Sequence, residues 1–153
     1  MAIPKIGSTR VPAIGNESAD IMLVGEAPGK DEVKAGEPFV GRSGRLLTRY
    51  LERNGKKRSD VWLTNLCKYR PKGNRFYNVL NSNQLEEGLT ELREEIEAVD
   101  PNVIVGLGNW PLYYLTGQTG STGKKGTGVT NWRGSVLPCT LIPNYKVFIT
   151  YHP

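Results

Sequence analysis

The chain holds a single histidine, His152, in Thr150-Tyr-His-Pro153, directly after an apolar run that can deliver an imidazole to a strand tip. Glu26 follows another apolar run, Ile21–Val24, inside the irregular stretch Leu23–Leu47, LVGEAPGKDEVKAGEPFVGRSGRLL. Asn65 ends a third, Asp60–Asn65, DVWLTN. A side-chain amide carries one acceptor and two donors in a plane, enough to read the edge of a nucleobase. Lys68, Arg70, Lys72 and Arg75 come next, with Tyr69, Phe76 and Tyr77 interleaved. That mixture suits single-stranded or splayed nucleic acid, where charge tracks the backbone and rings stack on bases. Each residue alone has a plainer reading: a solvated acid, a turn asparagine, a structural histidine, a basic loop.

The glycines after Val24 raise the question of a phosphate cradle. A Walker loop needs G-x-x-x-x-G-K-[ST], whereas Gly25–Lys30 places its glycines four apart, with Asp31 where the hydroxyl belongs. Pro28 also removes a backbone donor from the would-be nest, and no G-x-G-x-x-G is present. What remains is a tight turn that sets Glu26 at a strand tip, then a second loop, Gly36–Gly41. There the stiff Pro38 either presents the Phe39 ring to a cavity or delivers it to the core.

These residues need a frame. Leu46, Leu47, Tyr50 and Leu51 recur at helical spacing over Arg45–Gly55. Ser82 suits the cap of a helix whose Leu85, Leu89, Leu92, Ile96 and Val99 form one apolar stripe. The helix carries its acids outward and stops at Asp100-Pro101. Asn102–Leu107 is a near-continuous apolar strand, Trp110–Leu115 a short helix, and Lys146–Tyr151 a further strand, with another near Leu137–Ile142. Strands alternating with helices predict an α/β layered domain with a mainly parallel sheet, whose ligands sit at the C-terminal strand ends. Gly117–Gly134 has six glycines and no periodicity, and reads as one long loop.

Length and composition predict one domain with a real core. The net charge of +5 is unevenly placed: eleven Lys/Arg face Glu52 and Asp60 between Arg42 and Arg75, and seven acids face Arg93 alone between Glu86 and Asp100. Such segregation favours a polyanionic partner. No run approaches a membrane span and the N-terminus lacks a signal-type apolar segment, so the expectation is a cytoplasmic monomer with no membrane partner. Cys67 and Cys139 are expected as free, buried thiols.

Taken together, six motifs in order resemble the uracil-DNA glycosylase superfamily. They are Gly25-Glu-Ala-Pro-Gly29, Pro38-Phe-Val-Gly-Arg-Ser-Gly44, Thr64-Asn65 with Lys68 and Arg70-Pro71, Pro101-x-Val-Ile-Val105 with Leu107-Gly108, Trp132-Arg-Gly134 and Tyr151-His-Pro153. The chain looks most like family 4 and its phage DNA polymerase-related branch. The resemblance implies a three-layer α/β/α fold around a central, mainly parallel four-stranded sheet. It implies a flipped deoxyuridine in a pocket lined by Gly25, Ala27, Pro28 and Gly29. In that pocket Phe39 would stack on uracil, Asn65 would bond its polar edge, His152 would stabilise charge on O2, and Glu26 would help place the attacking water. Arg42, Ser43, Lys68, Arg70, Lys124, Lys125 and Arg133 would meet DNA. An alternative is a weak or inert DNA-binding or replication-accessory domain of the same fold.

Two departures stand out. Family 4 enzymes usually carry an iron–sulfur cluster on four cysteines. Here Tyr69 and Gly88 occupy two ligand positions, Cys67 is displaced by two residues, and no Cys-x-x-Cys precedes the first strand, so no cofactor and no metal are expected. The family also continues past His-Pro into a DNA-contacting loop and a helix, so a C-terminal remainder or a replication protein is a further expected partner.

Overall fold

A computed structural model describes residues 5–153. Its main sheet has six strands: β2 (Ile14–Gly15), β3 (Ile21–Gly25), β4 (Trp62–Asn65), β6 (Val103–Leu107), β7 (Val136–Pro138) and β8 (Lys146–Thr150), in spatial order β2-β4-β3-β6-β8-β7. The four central strands are parallel, as expected, and short antiparallel strands β2 and β7 extend the sheet at either edge. A separate antiparallel pair, β1 (Ile6–Arg10) and β5 (Tyr69–Pro71), lies outside it.

Side-chain alternation divides the core into two layers. Met22, Val24, Ile104, Val147 and Ile149 face α3 (Asn83–Val99) and α4 (Asn109–Thr116), packing with Leu85, Leu92, Ile96, Leu112 and Leu115. Leu23, Leu63 and Leu107 face the opposite side and pack with Phe39 and with Leu47 of α2 (Arg42–Arg53). Helices therefore cover both faces of the sheet.

The caps behave as the sequence predicts. Ser82 Oγ accepts from Leu85 N–H at 3.1 Å, and Asp100 ends α3 in a left-handed conformation. Four features differ. The helix expected from Arg45 begins at Arg42. The loop after Gly25 contains a short helix, α1 (Lys30–Ala35), which has no buried residue and so shows no apolar period. The Gly117–Gly134 loop holds one turn of helix, α5 (Val129–Trp132). Finally, Glu95 of α3 points inward and is 9% exposed, against the expectation that all acids of this helix face solvent.

Candidate base-binding pocket at the strand tips

A cavity of about 240 Å³ opens at the C-terminal ends of β3 and β4, where Glu26 follows the first strand and Asn65 ends the second. His152, two residues past β8, lines the same cavity. Parallel register makes this convergence possible: Gly25 pairs with Asn65, and Gly106 with Ile149, so the strand tips finish at one level.

Gly25 sets the width of the pocket. A Cβ at that position would lie 2.6 Å from Asn65 Oδ1 and 2.6 Å from Phe39 Cζ, closer than real contacts allow. Asn65 and the Phe39 ring thus meet over a bare backbone. Asn65 is only 5% exposed, and its side-chain amide has no hydrogen-bond partner among the described residues. The amide is therefore free to meet whatever occupies the cavity.

Phe39 is buried and lines the pocket, but Pro38 does not present it unaided. Phe39 sits in the left-handed region (φ 55), an unfavourable state for an aromatic residue. Arg58 holds it there: Nη1 donates to the Phe39 carbonyl at 2.7 Å and Nη2 to the Pro38 carbonyl at 2.9 Å. Gly44 in α2 admits this backbone, since a Cβ there would lie 1.9 Å from the Phe39 carbonyl.

Glu26 and His152 approach each other over Gly108, whose φ is 103. A Cβ on Gly108 would lie 3.3 Å from Glu26 Oε2 and 3.4 Å from His152 Cβ. Burial pushes the Glu26 carboxyl up from 4.5 to about 7. His152 is partly exposed, yet desolvation holds the imidazole below the usual histidine range, which favours the neutral ring. The site therefore brings together an imidazole whose Nδ1 lies 3.2 Å from the Pro153 carbonyl and one carboxyl poised between protonation states.

Phe76, one of the rings the sequence interleaves with basic residues, lines the cavity; sequence reasoning missed Glu32 and Asn74, which line it too. Glu32 joins the pocket's two loops, accepting from Gly29 N–H at 2.9 Å, Val40 N–H at 3.1 Å and Gly41 N–H at 2.7 Å. Its place three residues after Gly29, the N-terminal cap of α1, was the legible signal. Asn74 accepts from Arg70 Nε at 2.9 Å.

The expected DNA contacts divide. Arg42, Lys124, Lys125 and Arg133 are exposed, with Arg133 lying 5.0 Å over the Tyr151 ring beside His152. Ser43 lines the pocket and Arg70 is half-buried near its rim. Lys68 is a correction. It is 2% exposed, and its ammonium contacts Thr64 Oγ1 at 2.6 Å, the Asn65 carbonyl at 2.7 Å and Glu95 Oε2 at 2.8 Å, so no phosphate reaches it.

A four-thiolate cluster does not fit the residues present. Cys67 and Cys139 are the chain's two cysteines, both buried and free. No group of three metal-ligating side chains occurs among the described residues. At Gly88 even a Cβ would lie 2.1 Å from the Leu66 carbonyl. Helix and loop touch backbone to backbone there, leaving no volume for a thiolate.

The chain is 44% identical over 111 residues to a Type-4 uracil-DNA glycosylase of Archaeoglobus fulgidus, covering 72% of this chain and 54% of that protein. It is 38% identical over 152 residues to a Type-4 uracil-DNA glycosylase of Saccharolobus solfataricus, covering 97% and 67%. A DNA polymerase of Bacillus phage SP01 is 31% identical over 140 residues, covering 91% of this chain and 14% of the polymerase. The chain thus spans about half to two thirds of the length of the glycosylases it matches. The family model described as Uracil DNA glycosylase superfamily matches residues 12–153, essentially the whole described fold, and the chain belongs to that superfamily.

Proposed function

We propose that this chain is a uracil-DNA glycosylase domain that binds DNA, takes a flipped deoxyuridine into the strand-tip pocket and hydrolyses its N-glycosidic bond. The observation that carries the reading is the open amide of Asn65, buried beside the Phe39 ring with no protein partner. Its NH₂ donates to uracil O4 and its carbonyl accepts from N3–H, while cytosine presents the opposite pattern at those two atoms. Phe39 stacks on the ring, and the base leaves the duplex stack to reach it.

Water attacks C1′ as the bond from C1′ to N1 breaks, and the electron pair departs on uracil. The His152 N–H stabilises the charge that develops on O2. The Glu26 carboxylate orients the attacking water and takes its proton as the C1′–O bond forms, and the uracil anion takes up a proton as it is released. Exposed Arg42, Lys124, Lys125 and Arg133 meet phosphates, and Ser43 and Arg70 meet the strand near the rim. The product is free uracil and an abasic site, the opening step of base excision repair.

The test is incubation with an end-labelled single strand carrying one deoxyuridine, followed by hot alkali. Strand breakage at that position is expected, and its loss in Asn65→Ala. The match to a segment making up 14% of a phage DNA polymerase favours a second reading, a replication-associated domain that grips DNA without turnover. Tight binding of the uracil strand with no alkali-labile site would select it.

A further inference from the structure

The pocket does not stand on the strand tip alone. Lys68 folds back from three residues beyond Asn65; its buried ammonium donates to Thr64 Oγ1 and the Asn65 carbonyl, and lies 2.8 Å from Glu95 Oε2 as an ion pair without hydrogen-bond alignment. Glu95 is fixed in turn, because Trp62 Nε1 donates to its Oε1 at 2.8 Å. Contacts therefore run from Trp62 of β4 to Glu95 of α3, on to Lys68, and back to Thr64 and Asn65 of β4.

We infer that Lys68 and Glu95 are positioning residues for base selection, fixing the main chain at Asn65 so that its side-chain amide faces the pyrimidine edge. The inference rests on Asn65 reading the base. Alternation places Trp62 and Thr64 on the α3 face of the strand and Asn65 on the Phe39 face, so the pair never touches the ligand. It acts through the peptide plane. The Asn65 carbonyl is the last of β4; the N–H of its peptide group donates to the Gly25 carbonyl at 3.0 Å, and Lys68 holds the other end of the plane against rotation that would swing the Cα–Cβ bond and misdirect the amide.

Stability does not account for the pair. A buried ion pair gains little over apolar residues of similar volume, because desolvating both charges offsets their attraction, although removing one partner alone is strongly destabilising. An apolar pair would serve α3 and β4 as well for packing, but would leave the Asn65 carbonyl unheld. Nor is Lys68 available to DNA, at 2% exposure. What the pair adds is orientation, which is where recognition by a single amide is most sensitive.

The test compares the chain with Lys68→Met/Glu95→Leu, which removes both charges together. Binding is measured to two single strands identical except for one residue, 2′-fluoro-2′-deoxyuridine or 2′-fluoro-2′-deoxycytidine, whose fluorine resists base departure. Unfolding temperature is followed in parallel. The unmodified chain is expected to prefer the uracil strand at least tenfold. The double variant is expected to melt within a few degrees of it yet lose most of that preference, and to lose nothing further when added to Asn65→Ala. A double variant that keeps the preference overturns the inference while leaving the uracil reading intact. Absence of any preference in the unmodified chain overturns the uracil reading and the inference with it. If the double variant does not fold, Trp62→Phe is measured instead, since it frees Glu95 Oε1 while keeping the ion pair. A fall of at least threefold in preference is expected there, and an unchanged ratio overturns the inference.

Discussion

Arg58 and Phe39, nineteen residues apart, are joined by a 2.7 Å hydrogen bond from the guanidinium to the Phe39 carbonyl. The same guanidinium holds the preceding carbonyl at 2.9 Å, so one fork braces two consecutive peptide groups around a left-handed aromatic residue. The ring that closes the pocket is held from behind.

Arg58→Ala is expected to release that brace. A left-handed non-glycine residue costs about 1–3 kcal/mol, so Phe39 would relax toward an extended conformation and withdraw from the pocket. The expected result is a rise of at least tenfold in KM for uracil excision, with a lower melting temperature. Arg58→Lys should rescue poorly, because a point charge does not span both carbonyls as a planar fork does. Steady-state excision kinetics check this, and an unchanged KM would show that Phe39 is held by other contacts.

Glu26 should make the fold less stable as pH rises. Below pH 4.5 the carboxyl is protonated in both folded and unfolded chains and contributes no difference. Between 4.5 and about 7 the unfolded chain loses that proton while the folded chain keeps it, so stability falls across this window and the full cost is present above it. The size is at most about 3 kcal/mol. Glu26→Gln removes the ionisation. It should therefore stabilise the fold at pH 8 and leave it nearly unchanged at pH 4, while slowing excision at pH 8 and changing it little at pH 4, where the native carboxyl is already neutral. Denaturant unfolding at the two pH values reads the first part, and equal gains at both would contradict the assignment.

Asn65→Asp should separate recognition from folding. The substitution is nearly isosteric but removes the two donors, and a site built for a hydrogen bond loses heavily when one partner is missing. Uracil excision should drop by at least 10²-fold with little change in melting temperature, accompanied by weak activity on cytosine. Alkali cleavage of matched uracil and cytosine strands measures both, and uracil release near the unmodified rate would remove Asn65 from the site.

Gly88→Ala tests the contact between α3 and the segment after β4. Helix propensity favours alanine by about 1 kcal/mol in a helix interior. The added Cβ, however, would lie 2.1 Å from the Leu66 carbonyl, and neither backbone has room to yield. Overpacking of this kind costs about 1–3 kcal/mol or more, so the clash should win and the variant should be less stable. A higher melting temperature for Gly88→Ala would mean that the helix stands farther off than described.

Much of this architecture was legible because periodicity reports on burial. Ile21–Val24 and Asn102–Leu107 are apolar enough to be central strands, and the stripe of α3 matches its buried face. The unreadable parts have physical causes. β2 pairs along one edge over two residues, and α1 buries nothing, so neither leaves an apolar period. Lys68 misled for a different reason. A lysine among arginines and aromatics looks solvated unless its partner is known, and Glu95 lies 27 residues away on another element. The strand-tip residues Glu26, Asn65 and His152 were found because a parallel sheet specifies where its tips converge. The brace on Phe39 was not, since main-chain carbonyls carry no sequence signature.

Gly25, Gly44 and Gly108 stand behind the pocket's walls, and each is already the smallest residue the genetic code supplies. No mutation at these three positions can enlarge the chamber, so evolution toward a bulkier base has no route through them. Any new room must come from lining residues that still have atoms to lose: Phe39, at the cost of stacking, or Ser43, Asn74 and Phe76 around it. A library seeking acceptance of larger modified pyrimidines should therefore concentrate its diversity on those positions and leave the glycines untouched.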